Sequence, residues 1–110
     1  MDIKNVIDAI KEPSLKTIKE EFLELIKEAK EDSDDFIKYV GQQTSKALIY
    51  QAEGKITPEA VSLLFKKLKK MAQIEANNAE IALMSRIQKI LYRLLDIAID
   101  SIIKVIIPIA

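Results

Sequence analysis

A chain of 110 residues with two glycines, three prolines and 17 basic against 17 acidic side chains is one domain by length (1–110), and it has too few turn residues to connect a set of strands. It contains neither cysteine nor histidine. That excludes disulfides, thiolate chemistry, Cys/His zinc sites and Ser-His-Asp triads, and it removes the commonest general base. Ile, Leu, Lys, Glu and Ala dominate, a composition that predicts an all-α protein with long helices.

The opening "MDIKNVIDAIKEP" is charged where a secretory signal would be apolar, so a cytoplasmic location is expected. Ile3, Val6, Ile7 and Ile10 recur at helical spacing and predict a first helix over about 2–11, ended by Pro13. Ser14 is the expected cap of the next helix. Leu15, Ile18, Phe22, Leu25, Ile26 and Ala29 form one stripe, and its phase continues through Ser33 to Phe36, Val40, Thr44 and Ala47. The spacing therefore predicts one helix over 14–53, although "EDSDD" at 31–35 is rich in residues that prefer caps.

"AEGKITPEA", residues 52–60, is the clearest turn. Gly54 can take a positive φ just past a helix end, Thr57 can cap the next helix, and Pro58 fits its first position. From there a helix over 58–107 is expected, with Asn77-Asn78 as the strongest candidate for an interruption. Folding at the central turn lays the two long arms side by side. Residues 1–54 carry 12 acids against 8 lysines, and residues 55–110 carry 5 acids against 9 bases, so the arms have complementary charge. The fold expected is a long antiparallel helical hairpin with coiled-coil character. Since 49% of residues are apolar, more than one seam needs, it is expected to assemble as a homo-oligomeric bundle, a dimer first. The alternative is a compact monomeric four- or five-helix bundle with breaks near Ser33 and Asn77.

The C-terminal "LLDIAIDSIIKVIIPIA" is too short and too charged to span a membrane. On a helix, Lys89, Arg93, Asp96, Asp100 and Lys104 fall on one wet edge, with Arg93 in reach of Asp96 and the rest aliphatic. Ile97, Ile102, Val105 and Ile106 are expected to be buried at an interface.

Three stretches are candidates for chemistry. "KKLKK" places Lys66, Lys67, Lys69 and Lys70 around an inward Leu68 and is the one run able to contact an anion. Glu20, Glu24, Glu28 and Glu31 share a face and read as solvated surface. "QIEANNAEIA", residues 73–82, reads as a loop, a polar register layer or a ligand site, in that order. No nucleophile–base pair, phosphate loop or metal spacing occurs, so no catalytic, cofactor-binding or metal-binding residue is assigned. The expected function is that of a non-enzymatic structural or interaction protein that self-associates through apolar helix faces, above all the C-terminal one. The alternatives are a peripheral membrane protein using its two terminal helices, which their acidic residues disfavour, and a nucleic-acid accessory protein using Lys66–Lys70, which zero net charge disfavours. A protein partner other than a second copy is also compatible with these faces.

Overall fold

The computed structural model of the chain describes residues 2–106 and 108, and every described element is helical. Five helices follow in order: α1 Ile3–Asp8, α2 Lys16–Glu31, α3 Asp35–Ala52, α4 Pro58–Asn78, and α5 over 81–105. The Asp2 carboxylate accepts the Asn5 N–H at 2.9 Å and starts α1, which buries Ile3, Val6 and Ile7. The predicted helix over 2–11 is shortened at its far end. The chain turns after Asp8, and the Lys19 ammonium donates to the Ile10 carbonyl at 2.6 Å. Ser14 does not cap α2. Its hydroxyl donates to Glu12, and a 3-10 turn, Pro13–Leu15, leads into the helix instead.

The single helix expected over 14–53 is broken at residues 32–34. The Asp32 carboxylate accepts the Asp34 N–H at 2.8 Å, and Asp34 in turn accepts the Ile37 N–H at 3.0 Å as the N-cap of α3. The two aspartates on either side of Ser33 give the backbone local partners that a helix interior would not use, and the chain reverses. The predicted stripe survives the turn in part: Val40, Thr44 and Ala47 are buried, whereas Ser33 is exposed, Phe36 is half-buried, and Ile37 and Leu48 join the buried face. α2 and α3 then pack at very short range: a Cβ built on Gly41 would lie 2.7 Å from the Ala29 Cβ.

The central turn forms as expected. Gly54 has φ 75°; its N–H donates to the Gln51 carbonyl at 3.1 Å and the Lys55 N–H to the Tyr50 carbonyl at 2.9 Å, the pair of bonds of a Schellman motif. The Thr57 hydroxyl accepts the Ala60 N–H at 3.2 Å, with Pro58 in the first helical position. The second long helix is broken too, at Ala79 and Glu80, which are both extended. The Asn78 side chain donates to the Ile74 carbonyl at 3.0 Å, and the Ala79 N–H donates to the Ala76 carbonyl at 3.3 Å, which closes the end of α4.

The hairpin is therefore replaced by the compact alternative, a five-helix bundle. A forty-residue helix would be about 60 Å long, whereas the longest dimension of the molecule is 44 Å. The radius of gyration, 13.5 Å, is close to the ~13 Å of a globule of this length. The apolar surplus is absorbed inside one chain: with two further breaks, α2, α3 and α4 surround α5. Phe22, Ile37, Leu48, Phe65, Leu68, Ile87, Leu91, Leu94 and Leu95 meet in the centre with essentially no exposure.

α5 is not a uniform α-helix. Wider π-helical turns, Ile87–Tyr92 and Ala98–Ile102, separate its α-helical segments. Leu94, Ala98, Ile102 and Ile106 are buried at steps of four. In a pure α-helix such a row drifts by about 40° per step. π turns hold more residues per turn, so they counter that drift and keep the row on the core. The wet edge is where the sequence puts it: Lys89, Arg93, Asp100 and Lys104 are exposed and Asp96 is half-buried. Ile97, Ile102 and Ile106 are buried and Val105 half-buried, with neighbours supplied by this same chain.

Candidate interaction surface on the fourth helix

Polar contacts that cross the bundle pin α5 in place. Arg86 donates through Nε and Nη2 to the two carboxylate oxygens of Asp32, at 3.3 and 3.1 Å, and so ties α5 to the α2–α3 turn. Arg93 donates in the same two-pronged way to Glu21 at 2.7 and 2.9 Å. Its expected neighbour Asp96 instead pairs with Lys69 of α4. Arg93 prefers Glu21 because a planar guanidinium gains two parallel bonds across the helices, which Asp96, one turn along on its own helix, does not supply. Both arginine pairs join an acid of the first half to a base of the second, as the charge split allows. These contacts hold Glu21 below the usual carboxylate range through the hydrogen bond from Arg93. For Asp32, burial opposes the charge, but hydrogen bonds from the Asp34 N–H and Arg86 outweigh it and the pKa is lowered.

One buried polar group serves the fold directly. Gln51, in the last turn of α3, donates from Nε2 to the Ile103 carbonyl at 3.0 Å. That carbonyl belongs to the last turn of α5, where C=O groups run out of helical donors.

The expected anion-contact residues divide. Lys69 is half-buried and engaged with Asp96. Lys66, Lys67 and Lys70 are exposed and, among the described residues, have no carboxylate within ion-pairing distance. The side of α4 that carries Val61, Phe65, Leu68, Ala72 and Ala76 is buried, which turns these three lysines outward. Two aliphatic residues that sequence reasoning passed over share the outward side. Leu63 is 68% exposed and Ile74 is 60% exposed. They stand eleven residues apart, a helical offset of only about 20°, and Lys67 and Lys70 lie between them. Their signal was in the sequence: both fall outside the inward stripe, yet both are large and apolar. Ile81, first in α5, is 80% exposed. Among the described residues, the exposed large aliphatic side chains thus belong to α4 or the start of α5, and the other exposed large hydrophobic side chains are Tyr39 and Tyr50 on α3. The Tyr50 ring is covered by Lys46 and Lys55, whose ammonium nitrogens are 5.8 and 5.4 Å from its centroid.

The other candidates do not converge. Glu20, Glu24 and Glu31 line an open groove of about 500 Å³ with Ile3, Leu23 and Ile26, and no set of acids among the described residues is grouped to hold a metal ion. "QIEANNAEIA" is helical up to Asn78 and then becomes the α4–α5 turn. A second cavity of about 430 Å³ lies between α1 and the end of α5, lined by Val6, Ala9, Ile10, Val105 and Ile106. No described helix is long and apolar enough to cross a membrane. No family model, curated protein or solved structure matches the chain.

Proposed function

We propose that the chain is a non-catalytic helical module that acts by contact, and that the outer side of α4 is its working surface. The observation carrying this reading is the placement of Leu63, Lys66, Lys67, Lys70 and Ile74 on one outward strip of a helix whose other side is anchored in the core. Scattered exposed aliphatics are ordinary on a protein surface. Here they coincide with three exposed lysines that have no ion pair among the described residues, and that coincidence supports a contact surface. Self-association through the C-terminal helix, the expectation from sequence, draws less support, because Ile97, Ile102 and Ile106 already have neighbours within the chain.

The test is photo-cross-linking in the native cell. A photoreactive residue is placed at position 63 or 74, with position 28 on the exposed side of α2 as the control. Discrete adducts at 63 and 74 and none at 28 are expected. Equal labelling at all three positions would mean that α4 has no privileged role.

A further inference from the structure

We infer that the outer side of α4 docks on an anionic lipid bilayer, lying along its plane. This rests on the reading of α4 as the working surface and names what covers it. The strip has two components that a bilayer surface satisfies together. Lys66, Lys67 and Lys70 form an exposed cationic centre, while the acids of α4 are confined to its ends, Glu59 in the first turn and Glu75 near the last. Lysines near an anionic leaflet are attracted to its surface potential, and their aliphatic stems can lie along the acyl boundary while the ammonium stays wet. Leu63 and Ile74 flank this centre at a separation of about 16 Å along the axis. That is too far for one compact apolar hot spot on a protein partner, which clusters its anchors at the centre of the contact. A bilayer takes each side chain independently.

Other occupants fit less well. A second copy of this chain, joined through the same strip by a two-fold axis, would bring Lys67 and Lys70 against the same lysines of its partner, a like-charge contact at the centre of the interface. A nucleic acid would use the lysines alone. The strip offers no arginine or aromatic residue to a base and leaves Leu63 and Ile74 without a role.

The experiment is co-sedimentation of the full chain with two vesicle preparations, phosphatidylcholine alone and phosphatidylcholine mixed with phosphatidylserine. Binding to the mixed vesicles only, weakening as salt is raised, is expected. Lys67→Gln/Lys70→Gln is expected to lower the affinity about 25-fold, since each lysine near the surface is worth about fivefold. Leu63→Ser/Ile74→Ser is expected to lower it about tenfold through lost apolar burial. All four residues are exposed, so circular dichroism of both variants should match that of the parent. Lys16→Gln/Lys27→Gln makes the same charge change on α2 and should leave binding unchanged. Absence of sedimentation with the mixed vesicles, equal sedimentation with neutral ones, or equal loss in the α2 variant would each overturn the inference. Protein or nucleic-acid adducts at positions 63 and 74, without vesicle binding, would sink the lipid assignment and leave α4 as the working surface. No adducts and no vesicle binding would remove both.

Discussion

Gly41 shows how a residue that is poor for its helix can be right for the fold. In isolation a helical Gly costs about 1 kcal/mol relative to Ala. Here the missing Cβ lets α3 approach α2: an added methyl would come within 2.7 Å of the Ala29 Cβ and 3.1 Å of the Lys30 backbone nitrogen. Neither neighbour is the tip of a flexible side chain, so the helices themselves must separate. Overpacking of this kind costs about 1–3 kcal/mol, which exceeds the gain in propensity. Gly41→Ala is therefore expected to lower stability, by up to about 2 kcal/mol on balance. The measurement is urea unfolding followed by circular dichroism, with a lower midpoint at unchanged slope. A raised midpoint would show that α2 and α3 separate freely and that propensity decides. Nothing local in the sequence marks this use of Gly41, since the contact is with a residue on another helix. Gln51 is similar: its spacing identifies a helix face, but its role depends on where α5 ends.

At the scale of elements, the signals that were legible are those whose partners are near in sequence. The α3–α4 turn needs only Gly54, Thr57 and Pro58, and each takes the position that its own chemistry predicts. The α2–α3 turn was harder to read. Asp32, Ser33 and Asp34 are competent to cap, but a helix can also run through such a cluster, and the apolar phase favoured continuity. What favours the break is tertiary: Asp32 receives Arg86 from 54 residues away, and folding at this point buries the stripe of α3 against α2. The pH dependence follows from the same contacts. The pKa of Asp32 is lower in the folded chain than its ordinary value. Its contribution is therefore fully present above the unfolded carboxylate pKa, about 3.9, and is lost as pH falls through the lower folded value. Glu21, held down by Arg93, acts with the same sign. Asp32→Ala is expected to cost about 1 kcal/mol near neutral pH, the scale of a lost cap. The gap between parent and variant should begin to narrow below about pH 4 and continue to shrink as the pH falls through the lower folded value. Urea midpoints at pH 7 and pH 3 measure this, and a gap that stays constant would show that the carboxylate charge contributes nothing.

For the whole molecule, the surplus of apolar residues correctly implies that two helices cannot bury their faces alone, but it does not say where the further helices come from. Two hairpins from two chains and two extra breaks in one chain cover the same area, and a periodic pattern cannot distinguish them. The charge asymmetry between the halves is compatible with both. In the bundle it becomes the pairs Asp32–Arg86 and Glu21–Arg93 within a single chain. The two architectures part at Ile102, which has no exposed surface in the bundle and lies at the far end of α5. If Ile102 belonged to a contact between copies, Ile102→Asp would release a folded subunit of lower mass. In the bundle the same change buries an unpaired carboxylate and removes a packed aliphatic side chain, a combination at the severe end of single substitutions, above about 4 kcal/mol. That approaches the whole stability of a small domain, about 5–15 kcal/mol. Ile102→Asp is therefore expected to lose helical circular dichroism and cooperative unfolding together. Ile102→Val, which trims one methylene from the same place, should cost only about 1 kcal/mol and keep the fold. Light scattering and circular dichroism on the parent and both variants decide the matter. A fully helical Ile102→Asp chain of reduced mass would place Ile102 between copies and not in the core.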